Sequence, residues 1–561
     1  SLSPTGDRVA FLATDSEPEA RKKLREEGFK AVAYEEDVPF SRVWIAQRRS
    51  GDEVFAGARR LELDGNASSL SWSPAGDRIA VALAPTPRID DSYMHRRLHV
   101  VDPTSGTVAA RIENPGKLGA TAWSPDGSHL AFISAETIND PKEGRLMVAD
   151  AETGEFRDVI PGFEGHFTLP AWTDARTIRY LADVGSETEI GHVRVDGSNR
   201  SVVVGPGDAV FTSFAVSDDG EVMALAGERS SHPTELFVQV GGSDAPERVT
   251  DSNPWLADMR LAPQEVIRWS ARDGLELEGI LIRPLAEVSD RTYPLIVHVH
   301  GGPEAHNRNG WLTSYSRPGQ IAAARGIAVL YPNYRASTGR GVEFSMLDHA
   351  DMGGREFDDL VDGVDHLIAA GLVDSARVGV TGGSYGGYAT AWLSTYYSDR
   401  FAAGVMSVGI SNQISKVGTS DIPDEMYLVH NRLRPWDDWE LFLERSPVYW
   451  ADRSTTPLLI LHGTEDKRVN PGQSMEMYRH LKLRGQAPVR LIFYPGEGHG
   501  NRNAAARLDY SLRTLRWLQH YLLGPGGEMP DRDLNYDEEP GTPAAMLRGP
   551  TGVVDGVAGD L

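Results

Sequence analysis

The chain has 561 residues, 40% of them hydrophobic and 24% charged, which is a soluble globular composition in a chain too long for one ordinary domain. A formal net charge of −24 disfavours nucleic acid and anionic membranes as partners, and no apolar run approaches a membrane span. Cysteine is absent, which excludes disulfides and thiolate metal sites; no metal and no cofactor are expected.

A motif recurs along the first 230 or so residues. It reads Ser3-Pro4-Thr5-Gly6-Asp7-Arg8, then Trp72-Ser73-Pro74-Ala75-Gly76-Asp77-Arg78, then Trp123-Ser124-Pro125-Asp126-Gly127. Weaker copies start at Trp172 and Val216. Pro and Gly make a tight turn between two short strands whose alternating apolar residues face a core. After the first interval the spacing is about 45–50 residues, the period of four-stranded propeller blades. A β-sandwich with similar turns would not repeat so regularly. Residues 1–262 are therefore expected to form a β-propeller. About five blade starts are visible, fewer than a closed ring needs here, so blades are missing upstream or degenerate. The chain also opens inside a repeat, which leaves its natural N-terminus open. No signal peptide is visible, so the compartment, cytoplasmic or exported, stays undecided. The long first interval holds an insertion, Asp15 to Glu36, whose mixed charge and helical propensity predict a solvated helix.

After Asn253-Pro254 the pattern changes. Val266 to Trp269 and Leu275 to Ile282 read as a hairpin around Asp273-Gly274. Apolar strands follow at Tyr293–His300, Gly326–Tyr334, Val378–Val380, Phe401–Val408, Pro457–His462 and Val489–Tyr494. Helices are predicted between them at Phe357–Ala370, Tyr388–Tyr397 and Gly472–Leu483. A last helix carries Leu508, Leu512, Leu515, Leu518 and Leu522 on one face. Near-continuous apolar strands alternating with helices imply a mostly parallel sheet covered on both sides. The expected architecture is thus a multidomain β plus α/β chain, with an α/β-hydrolase domain over 263–525. Residues 526–561, rich in Gly, Pro and acidic residues, are expected to be a disordered tail.

Gly382-Gly383-Ser384-Tyr385-Gly386 joins a predicted strand to a predicted helix, the context in which G-x-S-x-G is a nucleophile elbow. A serine hydroxyl needs a base, and the base needs an orienting acid. In this fold they follow in the order Ser, Asp, His, each in a loop after a strand. Asp466 and His499 fit those places, with Glu465 as the rival acid and His462 more readily packed than catalytic. The oxyanion donors are expected at the Tyr385 N–H and, in the loop His300-Gly301-Gly302-Pro303, at the Gly302 N–H. Between Ser411 and Trp450 an aromatic-rich segment with Trp436 and Trp439 either walls a substrate pocket or forms a cap with its own core.

Taken together, the S-P-x-G repeats, His300 to Pro303, Asn333-Tyr334-Arg335-Ala336-Ser337-Thr338-Gly339, the Ser384 elbow, His462-Gly463 to Asp466 and Glu497-Gly498-His499-Gly500 resemble the prolyl oligopeptidase family of serine peptidases. The nearest likeness is to its acylaminoacyl-peptidase and bacterial dipeptidyl-peptidase members. That resemblance implies a propeller over the active site of an α/β-hydrolase domain, and cleavage of short peptides rather than folded proteins. Members with an oxyanion tyrosine carry it near His300, so a backbone donor is implied here. Tyr34-Glu35-Glu36 weakly resembles the paired glutamates that hold a substrate ammonium, although a solvated acidic turn is the simpler reading. An esterase would use the same triad, and an inactive propeller scaffold is the remaining alternative. Self-association and the residue preferred at the cleaved bond stay open.

Overall fold

The structure is a computed structural model and describes residues 1–48, 54–207, 209–217, 220–241, 243 and 245–536. Its first half is built from five small antiparallel sheets, one of three strands followed by four of four. The sheets begin at Arg8, Asn66, Leu118, His166 and Val210, each close to a copy of the repeat. The repeat residues explain themselves. Gly6, Gly76 and Gly127 sit at φ +71°, +70° and +69°, a left-handed turn that suits glycine. Ser73 donates to Asp77 and accepts the N–H of Arg78, which closes the turn. The recurring tryptophans link neighbouring blades. The Trp72 indole donates to the Ser1 carbonyl at 3.1 Å, Trp123 to Ser71 at 3.2 Å and Trp172 to Ala122 at 3.0 Å. The recurring arginines reach forward to the next blade, Arg8 to the Gly76 carbonyl and Arg78 to that of Gly127. The insertion forms an exposed helix, Glu19–Glu26.

The second half is one eight-stranded sheet. Its strands are β1 (Gln264–Ser270), β2 (Glu276–Ile282), β3 (Tyr293–Val299), β4 (Ala328–Asn333), β5 (Val373–Gly383), β6 (Ala403–Ser407), β7 (Leu458–Gly463) and β8 (Val489–Tyr494). They lie in the order β1-β2-β4-β3-β5-β6-β7-β8. Only β1 with β2 and β2 with β4 pair antiparallel; the other neighbours are parallel. Alternate residues serve alternate faces. Leu295, Val297 and Val299 of β3 enter one core, and Ile296 enters the other. Burying each such side chain contributes about 1.5–3 kcal/mol, which is why apolar residues serve both faces of the strand. Helices α1 (Arg355–Ala369) and α2 (Tyr385–Leu393) cover one face, and α4 (Ala504–Leu522) the other, with α3 (Gly472–Arg484) between β7 and β8. The expected tail is in part anchored. Arg490 donates to the Pro530 carbonyl, Arg513 to that of Arg532, and Met529 packs on the core. The rest of it, from 537, lies outside the described residues.

The blades pack on loops that leave the C-terminal ends of the hydrolase strands. Asp183 takes two hydrogen bonds from Arg308, at 2.6 and 2.8 Å. The His166 Nδ1 accepts the Gly339 N–H at 2.9 Å. Lys117 bonds Glu304 at 3.0 Å and Glu425 at 2.7 Å, all three largely buried. His430 joins the same cluster, 3.3 Å from Glu304 and 3.2 Å from Asp348. Glu304, Glu425 and His430 have a spacing that could hold a metal ion, but the Lys117 ammonium already supplies the cation there.

Candidate active site

β5 is longer than the apolar run Val378–Val380 suggests, and it hands the chain directly to α2 through Ser384. Ser384 sits at φ 59°, ψ −118°, a strained conformation for a non-glycine residue. The helix therefore begins at Tyr385 rather than Tyr388, and the serine stands at its positive end. A Cβ at Gly382 or Gly386 would strike the Val299 carbonyl, so both flanking glycines are required. Ser384 N–H donates to the Ser407 carbonyl at 3.1 Å, and Tyr388 N–H to that of Ser384 at 3.0 Å, which pins the turn from both sides.

Ser384 opens on a cavity of about 400 Å³ whose lining includes His499, His300, Gly301, Tyr315 and Tyr510. His499 Nδ1 lies 2.7 Å from Asp466 Oδ2. The other oxygen of Asp466 accepts the N–H groups of Arg468 at 2.9 Å and Val469 at 3.0 Å. Burial alone would raise the Asp466 pKa, but hydrogen bonds from His462 and His499 outweigh it and hold the carboxyl well below its usual range. His462 is packed, as expected, with its Nε2 on the Val469 carbonyl at 2.8 Å, yet it also touches Asp466 at 3.3 Å. Glu465 points to solvent.

On the opposite side, Gly301 lies against Ser384; a Cβ there would be 3.2 Å from the Ser384 Cβ. Gly301 lines the cavity, and Gly302 follows at φ +120° with a cis bond to Pro303. His300 orients that peptide. Its Nδ1 is 2.9 Å from the Gly301 carbonyl, and its Nε2 is 2.9 Å from the Ser337 hydroxyl. Burial pushes this histidine down to about 3, so the ring is neutral, donating at Nδ1 and accepting at Nε2. Tyr385 is buried, and its hydroxyl donates to Glu356 at 2.6 Å. Burial, then Asp348, push the Glu356 carboxyl up to about 8.

The remaining predicted residues lie elsewhere. Trp436 and Trp439 are 65% and 54% exposed and do not line the cavity. Glu35 and Glu36 are exposed, and Glu35 stands 3.8 Å from Arg88. Sequence reasoning did not single out Tyr315, Tyr510 or Arg317, which come to the cavity from loops and a helix far from the elbow.

Residues 313–524 match the model of the prolyl oligopeptidase family. A Bacillus subtilis protein described as the uncharacterized peptidase YuxL is 31% identical over 70% of this chain and 60% of its own length. Dipeptidyl-peptidase 5 of Porphyromonas gingivalis is 28% identical over 81% and 66%, and the human acylamino-acid-releasing enzyme 31% over 76% and 61%. The chain thus spans about three fifths to two thirds of the length of these relatives. Among solved structures, the acylaminoacyl peptidase of Pyrococcus horikoshii superposes with a TM-score of 0.65 at 19% identity, covering 94% of this chain and 89% of that one. A puromycin-hydrolyzing peptidase of Mycobacterium tuberculosis does so at 0.62 and 20%, covering 94% and 88%. The match to the prolyl oligopeptidase family thus lies in residues 313–524, and the chain as a whole shares the propeller and hydrolase fold of these structures.

Proposed function

We propose that the protein is a serine peptidase that cleaves short peptides through an acyl-enzyme. The observation that carries this reading is the Asp466–His499 pair at 2.7 Å, whose imidazole residue lines the cavity that also holds Ser384. Asp466, kept ionised, accepts the Nδ1–H of His499, which leaves the Nε2 lone pair free for the Ser384 proton. The Ser384 oxygen bonds to the scissile carbonyl carbon. His499 then passes the proton to the departing amine, and water repeats the sequence to release the acyl group. The N–H groups of Tyr385 and Gly302 take the developing oxyanion; each such donor is worth about 10²–10³ in rate.

The blade contacts at Lys117, His166 and Asp183 support a lid over the strand ends and hence a limit on substrate size. Relatives named for acylamino-acid release, dipeptidyl peptidase activity and puromycin hydrolysis agree with a small substrate. Glu35, Glu36, Trp436 and Trp439 have no part in this reading. The test is incubation with a folded globular protein and, separately, with its unfolded short fragments. Fragments should be cut and the intact protein spared; comparable cleavage of both would mean that the propeller does not select.

A further inference from the structure

The cavity beside Ser384 carries a cation that the hydrolytic steps do not use. Arg317 and His298 line it, together with Tyr315, Tyr510 and Leu461. The two tyrosines meet edge to face with centroids 5.5 Å apart and form an apolar wall. Arg317 is half-buried, and among the described residues no carboxylate lies within ion-pair distance of it. Its charge acts on Glu228, on the fifth blade. Burial raises that carboxyl and Arg317 draws it down, without a direct contact.

Three other arginines set into this chain are paired. Arg145 meets Glu136 at 2.9 Å, Arg308 meets Asp183 at 2.6 Å and Arg335 meets Asp359 at 2.6 Å. In a chain of net charge −24, Arg317 lines the cavity that holds Ser384 with no acid paired to it. The second polar group there has one nitrogen without a partner. The Nε2 of His298 is 3.1 Å from the Ser316 carbonyl, so that nitrogen carries the hydrogen. Its Nδ1 is buried with no partner and is left as an acceptor. Burial, then Arg317, push His298 down to about 4, which keeps the ring neutral.

We infer that Arg317 is a specificity-determining residue selecting substrates with a carboxylate next to the cleaved bond. The guanidinium would take the carboxylate in a charge-assisted pair, the apolar wall its carbon chain, and His298 Nδ1 an adjacent N–H. This rests on the reading of Ser384 as nucleophile. The carboxylate has two sources: a Glu or Asp side chain on the acyl side, or the free C-terminus of a short leaving group.

Two matched substrate pairs separate them. One pair has Glu or Gln supplying the scissile carbonyl; the other has a leaving residue ending in a free carboxylate or a carboxamide. In one pair the carboxylate member should show about tenfold or greater kcat/KM. Arg317→Gln should bring that ratio to within about twofold of unity, and Arg317→Lys should keep part of it. A wild-type ratio near unity in both pairs, or one that Arg317→Gln leaves unchanged, overturns the inference. Binding of the same peptides to Ser384→Ala protein, followed by calorimetry, needs no turnover. A carboxylate preference there that Arg317→Gln removes supports the site even if the peptidase reading fails, and equal binding of both members overturns it.

Discussion

His499 and Asp466 meet at 2.7 Å through one carboxylate oxygen, while two backbone N–H groups hold the other. The carboxylate is therefore fixed before it meets the imidazole, and it can select the tautomer with hydrogen at Nδ1. Asp466→Asn keeps the shape but offers an amide donor in place of an acceptor. It should lower kcat by about 10⁴-fold. The same change at Glu465, Glu465→Gln, should stay within about threefold of wild type, because that residue is exposed and does not line the cavity that holds Ser384. Steady-state kinetics on one peptide substrate decides it; equal losses at both positions would contradict the assignment.

Tyr334 joins the two sides of the proposed oxyanion site. Its ring stacks on His300 at 4.4 Å and lies parallel to Tyr385 at 6.5 Å, and its hydroxyl donates to the His300 carbonyl at 3.0 Å. It is a positioning residue. Tyr334→Phe removes one hydrogen bond, about 1 kcal/mol of stability, and loosens the donor loop. The expected result is a kcat roughly tenfold lower with KM within about twofold. A change in KM alone would assign Tyr334 to substrate binding instead.

Where local backbone geometry makes a demand, the demand is visible in the chain. Gly382 and Gly386 are forced by the approach of the Val299 carbonyl, and Trp72, Trp123 and Trp172 recur because each indole bonds the preceding blade. The near-continuous apolar run of β3 marks a strand buried on both faces. Polar Asp374, Ser375 and Arg377 hid the first part of β5, and the glycines inside α2 hid its first turn. Trp436 and Trp439 misled by composition: aromatic content suggested a wall or a core, and both rings face solvent. Partnerships across the fold leave no local trace. Lys117 finds Glu304 187 residues away and Glu425 308 residues away, so no window of sequence contains the pair.

That cluster ties the third blade to the loop two residues beyond Gly302. Lys117→Met would leave Glu304 and Glu425 buried without their ammonium, a loss of about 3–5 kcal/mol. Adding Glu304→Gln and Glu425→Gln to Lys117→Met should recover much of it. Urea unfolding of the three proteins measures both effects, and a loss below about 1 kcal/mol in the single variant would show the cluster to be solvated.

Lys416 gives a pH signature. Its ammonium is buried beside the Ser420 hydroxyl and the Arg468 carbonyl. Burial, then the charge of Arg468, push it down to about 8 from an ordinary 10.5. Between those values the unfolded chain binds the extra proton, so stability should rise with pH through that window. The rise attributable to Lys416 is about 3 kcal/mol at most. Lys416→Met should flatten it, and unfolding free energies at intervals between pH 7 and about 10 test this against wild type. Parallel curves would mean that Lys416 is not desolvated as described.

The central claim is that Ser384 is the nucleophile, and a fluorophosphonate reports on that most directly. It should label the protein at Ser384 alone, with loss of peptide hydrolysis in proportion to labelling. Ser384→Ala protein, with unchanged circular dichroism and unchanged Tm, should take no label and retain almost no turnover. Label mapped to another serine, or substantial hydrolysis by Ser384→Ala protein, would contradict the account.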